Sequence, residues 1–215
     1  MKKILFLLLI VLSISCVSQT QVITKNNLII KHGDITLYLS DDTCSMVSKH
    51  TIKYVDFTKL DSDRDNRWFQ DVYKGKYSKE AYTHSGYDLG HLTPSHITSY
   101  NDTLNHNSFS YFNQAPQIAS FNRGAWAKLE KGVEDSIAKY KTNATIITGV
   151  IYDGSKVEYL GKTKIKIPIA YFKILVFKKH TYAWIGSNNN GLITETTVKN
   201  LNEIFVLNKM NLIIK

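Results

Sequence analysis

The sequence predicts an α+β fold with a mainly antiparallel sheet, and three observations lead to this class. Short β-rich segments separated by turn residues recur along the chain, whereas apolar residues at helical spacing occur in only two segments. Apolar residues make up 43% of the chain and charged residues 21%, which is typical of a globular protein. A length of 215 residues allows one domain with a sizeable core, or at most one domain with a short appendage.

Strands are expected where β-branched, aromatic and other apolar residues are enriched between turn signals. In chain order these segments are residues 28–39 (with a break at Gly33-Asp34), 51–57, 86–93, 109–112, 144–150, 162–167, 169–178 and 182–185. Polar or proline-containing stretches at 61–75, 101–107 and 113–119 predict loops, and turns are expected at Asp41-Asp42 and at residues 188–191.

Two helices are expected. The first begins near Asn122, because an apolar stripe at helical spacing follows, formed by Trp126, Leu129, Val133 and Ile137. The second, at residues 196–205, closes the chain.

The first residues of the chain predict a signal peptide. Lys2 and Lys3 precede an apolar run at residues 4–11, which is too short for the roughly 20 residues that a membrane-spanning helix needs. We place the signal peptide at residues 1–18, a lead-in with the first strands at 19–45 and the main domain at 46–215. Cleavage before Cys16 would give a lipoprotein, and later cleavage a free secreted protein. The protein is therefore expected to be exported, as a periplasmic, outer-membrane or secreted protein.

Cysteine content and charge narrow the possible stabilising groups and partners. With Cys16 lipidated or removed, Cys44 would be alone, so no intramolecular disulfide and no cysteine-based zinc site are expected. The formal charge is +9, from 27 basic and 18 acidic residues. This excess favours a polyanionic partner, either a nucleic acid or an anionic cell surface, and composition alone does not choose between them.

One group of residues suits the hydrolysis of a phosphodiester. His91 ends the expected strand that contains Tyr87-Asp88-Leu89-Gly90, and a histidine can deprotonate water near neutral pH. Asn122 begins the first helix, and its amide oxygen is a hard ligand that suits magnesium. Glu130 follows two turns later, where it could hold one of the metal's waters. The strand, a second strand and the helix would place His91 and Asn122 on opposite sides of a small cleft.

Three ordered segments resemble the DNA/RNA non-specific endonuclease family of ββα-metal nucleases. YDLGHLTPS, SYFNQAPQ and FNRGAWAKLE are similar to its DRGH, N-x-x-P-Q and N-x-G-x-W-x-x-L-E motifs. Upstream, Arg64, Trp68 and Asp71 resemble the arginine loop, and downstream Thr148-Gly149 and KIPIAYFKI resemble later core strands, so the resemblance spans about residues 51–185. It implies a ββα-metal (His-Me finger) motif, with residues 46–215 as the nuclease domain and DNA and RNA as substrates.

The resemblance also implies catalytic roles. His91 would be the general base, and Asn122 the direct ligand of Mg²⁺ or Mn²⁺. Glu130 would act through a water of that metal. Arg64 would contact the phosphate or stabilise developing charge, and Asp88 would orient the loop that carries His91.

Supporting roles follow from the same resemblance. Asn113 and Gln117 would brace the backbone of the metal site or contact substrate. The family usually has arginine where this chain has Leu89, and losing that phosphate contact could cost on the order of 100-fold in rate. Arg123, Lys128 or Arg67 could contact substrate from another direction. A Leu89→Arg variant is therefore expected to be faster.

Other interpretations remain open for several of these residues. Asn122 could be an ordinary helix N-cap, Glu130 a solvated carboxylate and Arg64 an ordinary loop charge. His84 and His96 flank His91 at spacings that fit no usual metal-ligand pair. For the whole chain, the alternative is an exported lipoprotein that binds nucleic acid with weakened or lost catalysis.

Overall fold

A computed structural model describes residues 21–24, 28–39, 45–61, 63–70 and 79–215. The expected signal peptide with Cys16, the Asp41-Asp42 turn, Cys44 and Asp71 lie outside the described residues. Among the helices that the structure describes, none is long and apolar enough to cross a membrane.

The described elements alternate between strands and short helices. The strands are β1 (Val22–Thr24), β2 (Ile29–His32), β3 (Ile35–Leu39), β4 (Ser45–Ile52), β5 (Tyr87–His91), β6 (Gln114–Ile118), β7 (Ala144–Ile151), β8 (Glu158–Tyr159), β9 (Lys166–Ile167), β10 (Ala170–Val176), β11 (Thr181–Ser187), β12 (Ile193–Thr196) and β13 (Leu212–Ile214). The helices are α1 (Tyr54–Phe57), α2 (Asp102–Ser108), α3 (Ala119–Phe121), α4 (Ala127–Tyr140) and α5 (Val198–Leu207).

A central antiparallel sheet confirms the expected class. In the described part of the chain, seven strands pair in the order β12-β11-β10-β7-β4-β3-β2. The segment at 28–39 forms a hairpin whose turn places Gly33 at φ 59°, a conformation that glycine adopts without steric cost. The expected strands at 144–150, 169–178 and 182–185 and the closing helix at 196–205 are also confirmed, with small shifts of their ends.

The sheet has a helix on each face. Side chains alternate between the faces of a strand, so neighbouring residues of β7 enter different apolar clusters. Ile147 packs with Leu201 and Phe205 of α5, whereas Ile146 packs with Val133 and Ile137 of α4. The molecule therefore has three layers, with α4 and the ββ unit on one side of the sheet and α5 on the other.

Residues 113–119 were expected to form a loop, and this expectation is wrong. Residues 114–118 form β6, which pairs antiparallel with β5, with Asp88 opposite Gln117 and His91 opposite Gln114. The sequence of this strand does not resemble a strand, because Pro116 cannot donate a backbone hydrogen bond to a neighbouring strand and both glutamines are polar. Proline is tolerated here because β6 pairs with β5 alone among the described strands.

Two further expectations between the strands of this unit are also wrong. The stretch 101–107 forms α2 instead of a loop, because Asn101 accepts a hydrogen bond from the Leu104 backbone N–H at 2.9 Å and caps the helix. The aromatic stretch 109–112 is not a strand, because the Ser110 hydroxyl accepts from the Phe112 N–H at 3.0 Å and starts a short 3-10 turn.

Smaller differences concern the ends of strands. The strand expected at 51–57 ends at Ile52 and continues as α1, while its pairing begins earlier, at Ser45. Of the segment 162–167, only Lys166 and Ile167 pair in a strand. The strands β1, β12 and β13 were not expected from the sequence.

Candidate active site

His91 is the last residue of β5, and its ring lies among aromatic side chains. The Trp68 ring centroid is 4.6 Å away, and Phe109 meets the imidazole edge-to-face at 4.9 Å. Nε2 is buried without a hydrogen-bond partner among the described residues. Burial lowers the pKa of His91 to about 3, and the charge of Arg64 adds to this effect. The imidazole is therefore neutral at pH 7, which is the state that can accept a proton.

Arg64 lies on the same side of the site, in the segment 63–70 that contains no helix. Its guanidinium carbon is 5.2 Å from the centroid of the Phe109 ring, and its Nε donates to Asn66 Oδ1 at 2.7 Å. The next residue anchors the segment, because Asp65 Oδ2 lies 2.6 Å from His106 Nδ1 of α2. Arg64 therefore lies near His91, and both side chains contact Phe109.

Asn122 stands in a wide π-helical turn at Asn122–Trp126, which joins α3 to α4. Its backbone is helical, with φ −55° and ψ −52°, whereas an N-cap residue has non-helical angles. Instead, Asn122 Nδ2 donates to Asp88 Oδ2 at 2.9 Å. The N-cap interpretation is therefore excluded. Wide turns of this kind occur often at functional sites.

The hydrogen bond that Asn122 donates to Asp88 also fixes the orientation of the Asn122 amide. A carboxylate only accepts hydrogen bonds, so the NH₂ group must face Asp88 and Oδ1 must face away from it. Arg123 donates to the same carboxylate twice, at 2.9 and 2.7 Å. Partial burial tends to raise the pKa of Asp88, but the hydrogen bonds from Arg123 and Asn122 outweigh it and hold this pKa below its ordinary value.

Asp88 and Arg123 make contacts that differ from those expected from the sequence. Asp88 joins β5 to the start of the helix, whereas the sequence suggested that it orients the loop around His91. Arg123 is exposed and donates from Nε and Nη2 to Asp88, a contact that the sequence did not predict.

Glu130 lies on α4, and its partner was not foreseen from the sequence. Lys173 of β10 is 1% exposed and places Nζ 3.5 Å from Glu130 Oε1. The same ammonium donates to Thr148 Oγ1 at 2.8 Å and lies 5.0 Å from the centroid of the Trp126 ring. Burial raises the pKa of Glu130, and Lys173 counteracts this. Glu130 is therefore a partly buried, paired carboxylate. In the sequence, a single lysine inside the apolar run IAYFKILVF indicates a buried cation that needs a partner.

Asn113 and Gln117 are both fully buried. Asn113 Nδ2 donates to the carbonyls of Thr93 and Ser108 at 2.8 and 2.7 Å, and its Oδ1 accepts from the Thr93 N–H at 2.9 Å. This braces the backbone just after His91. Gln117 lies against Gly90, where any side chain would collide with it. Neither amide atom of Gln117 has a partner among the described residues.

Leu89 and the other histidines complete the comparison with the sequence. Leu89 packs against the apolar cluster that contains Tyr82 and Phe112. His96 Nδ1 pairs with Glu134 Oε1 at 2.7 Å, and His84 is exposed in a turn with φ 56°. In the described ranges no three His, Cys, Asp or Glu side chains come together as a metal cluster.

The geometry thus joins two groups along one short strand. Asp88 accepts hydrogen bonds from Asn122 and Arg123. His91, which is close to Arg64, lies three residues after Asp88 on β5, about 10 Å away at the usual rise of a strand. A profile of the DNA/RNA non-specific endonuclease family matches residues 17–211. The chain belongs to this family.

Relatives within the nuclease family are similar over part of their length. Mitochondrial Endonuclease G from Homo sapiens is 29% identical over 106 residues, which cover 45% of this chain and 35% of the relative. A salivary endonuclease from Lutzomyia longipalpis is 29% identical over 109 residues, 46% of this chain and 26% of the relative. The matched region therefore spans about a third or less of these proteins.

A solved structure shows that the fold is shared. EndoG, in a complex with EndoGI, superposes with a TM-score of 0.73 over 84% of both chains at 22% identity. This likeness confirms the α+β fold with its ββα-metal motif.

Proposed function

We propose that this protein is a metal-dependent endonuclease that hydrolyses phosphodiester bonds of DNA and RNA, with His91 as the general base. The observation that carries the proposal is the Asn122–Asp88 hydrogen bond of 2.9 Å. It presents the amide oxygen of Asn122 as a free acceptor beside the strand that ends in a neutral histidine. The family membership of the chain supports the same reaction.

The donor chemistry of the site fits magnesium or manganese. Asn122 Oδ1 is a hard, neutral oxygen that receives no hydrogen bond from the described residues. Magnesium keeps several waters in protein sites, so it needs few protein ligands. When bound, a divalent ion would neutralise charge on the phosphate and on the leaving 3′ oxygen.

His91 would take the proton of the attacking water. In the free protein, burial lowers the pKa of His91 to about 3, which makes the imidazole a weak base. A phosphodiester beside the ring would add negative charge, favour the imidazolium and raise this pKa. The base therefore becomes stronger when substrate is present, which is when it is needed.

Arg64 and Glu130 would support the reaction from two sides. Arg64 lies near His91 and would bind a non-bridging phosphate oxygen, where negative charge develops. Glu130 is held by Lys173 at 3.5 Å and would accept a hydrogen bond from a water in the site. These groups would contact the phosphate rather than the edges of the bases, so we expect the cleavage to have weak sequence preference.

The test is cleavage of supercoiled plasmid and of RNA by the purified protein, with magnesium and with chelator. We expect cleavage that the chelator abolishes, and a loss of about 100-fold or more in His91→Ala. His84→Asn is the matched control, because His84 is exposed at φ 56° and asparagine tolerates that backbone. Cleavage that is unchanged in His91→Ala would disprove the role of His91.

Export and lipid attachment belong to the same proposal. The segment that precedes the described residues has the pattern of a signal peptide with Cys16 near its end. We propose an exported enzyme, either anchored through a lipid on Cys16 or released. Incorporation of labelled fatty acid into the wild type and into Cys16→Ser distinguishes the two states.

A second candidate function is nucleic-acid binding without turnover. Leu89 favours it, because an apolar side chain stands where the family usually has arginine. It predicts salt-sensitive DNA binding without cleavage. Metal-dependent turnover in the plasmid assay would rule it out.

A further inference from the structure

Aromatic and basic side chains meet at the C-terminal end of α4, where the helix contacts the turn between β10 and β11. The Tyr140 ring lies 5.5 Å from His180 and 6.5 Å from Tyr182, and its plane is within 26° of both of theirs. The two tyrosine hydroxyls are 2.6 Å apart. We call this group the basic aromatic surface, and it comprises Lys139, Tyr140, Lys141, Lys178, Lys179, His180 and Tyr182.

The charge of the basic aromatic surface is almost entirely positive. Its four lysines are exposed, and they form no ion pair with any residue that the structure describes. Lys139 Nζ lies 5.9 Å from the Tyr140 ring centroid. One negative charge lies nearby, because the carboxylate of Glu195 interacts electrostatically with Tyr182. Four unpaired cations around stacked rings suit a polyanion whose units carry flat bases.

Exposed lysines recur along α4, the helix that runs from the candidate active site to this surface. Lys128, Lys131 and Lys139 are exposed and lie on one side of α4, because they are spaced by three and eight residues. Lys131 is partly neutralised by Asp135 at 2.8 Å. From Asn122 to Tyr140 the helix rises by about 27 Å at 1.5 Å per residue. This is the length of roughly eight nucleotides of base-stacked strand at about 3.4 Å each, and an unstacked single strand spans it with fewer.

We propose that the basic aromatic surface is a second contact site for single-stranded stretches of the substrate, reached along α4. This rests on the proposed function, because it names where the same nucleic acid is held away from the scissile bond. The lysines contact phosphates, and Tyr140 stacks with a base. A substrate must extend past the cleavage point to contact both sites, so the surface contributes to cleavage only of longer substrates.

The test measures binding in the His91→Ala background with chelator, which separates binding from cleavage. Lys178→Glu/Lys179→Glu is compared with Lys199→Glu/Lys215→Glu, which makes the same charge change at exposed positions away from this surface. For a single-stranded 24-mer, we expect the first pair to weaken binding on the order of 10-fold or more and to reduce the salt slope by about 1.4.

A second variant tests stacking without charge. Tyr140→Leu should weaken binding of the 24-mer by about 5-fold or more and leave the salt slope unchanged. Thermal unfolding of each variant confirms that the fold is retained. Equal 24-mer affinity and equal salt slopes in the surface pair and the control pair would overturn the proposal.

Two further outcomes separate this proposal from its alternatives. If Lys178→Glu/Lys179→Glu loses binding to vesicles of anionic phospholipid but keeps 24-mer affinity, the surface serves a membrane and the proposal is wrong. If the wild type cleaves nothing while the surface pair loses 24-mer affinity, the second contact site stands and the nuclease proposal fails. Cleavage of plasmid with unaffected binding in the surface pair gives the reverse conclusion.

Discussion

Lys173 Nζ lies 3.5 Å from Glu130 Oε1, with the lysine 1% exposed and the carboxylate 23% exposed. A buried ammonium is costly unless it is paired and hydrogen-bonded. Thr148, the direct neighbour of Lys173 across the sheet, supplies the hydrogen bond at 2.8 Å, and Glu130 supplies the charge. The pair therefore ties the first turn of α4 to the centre of the sheet.

Removing the lysine alone should destabilise the protein. In Lys173→Met the Glu130 carboxylate stays partly buried without its partner, so we expect the free energy of unfolding to fall by about 3 kcal/mol. Urea unfolding at pH 7 measures it. The control is Lys173→Met/Glu130→Gln, which removes both charges and should lose less than the single variant. An equal or greater loss in the double variant would show that the ion pair is not the cause.

Asp88 should govern metal affinity through Asn122. In Asp88→Asn the partner of Asn122 Nδ2 is no longer an obligate acceptor, so the Asn122 amide can turn and withdraw Oδ1. We expect the magnesium concentration for half-maximal cleavage to rise about 10- to 100-fold, as for other groups that orient a metal ligand. A magnesium titration of plasmid cleavage measures this.

Arg123→Gln is the matched control for that titration. It removes the exposed ion pair to Asp88 but leaves the Asn122–Asp88 hydrogen bond intact. Its magnesium requirement should stay near that of the wild type. If Arg123→Gln shifts the requirement as far as Asp88→Asn does, the charge of Asp88, and not its hold on Asn122, controls the site.

The sequence allowed local features of the site to be predicted better than its tertiary contacts. His91 at a strand end and Asn122 at a helix start follow from periodicity and short motifs, which depend on neighbouring residues. The contact of Lys173 with Glu130 joins residues 43 positions apart in different elements, and no local pattern encodes it. The contact of the Trp68 ring with His91 depends in the same way on tertiary packing between distant parts of the chain.

Acid should destabilise the fold through His50. This residue is fully buried, and burial lowers its pKa to about 4. Below pH 6.5 the unfolded histidine takes up a proton while the folded one stays neutral, so stability falls as pH falls toward 4. The contribution of His50 is about 3 kcal/mol over that range. Urea unfolding at pH 7.0, 5.5 and 4.5 should show a shallower loss in His50→Leu, and parallel profiles would contradict the assignment.

Leu89→Arg tests whether position 89 can reach the substrate. From the sequence alone, arginine here was expected to speed cleavage. The structure favours another result, because Leu89 packs against the cluster around Tyr82 and Phe112. Arginine would lose apolar contact there, so we expect a loss of about 1–2 kcal/mol in unfolding free energy and no gain in plasmid cleavage rate. Leu89→Met, which conserves volume, should behave like the wild type. A faster and equally stable Leu89→Arg enzyme would mean that this side chain can turn to the phosphate after all.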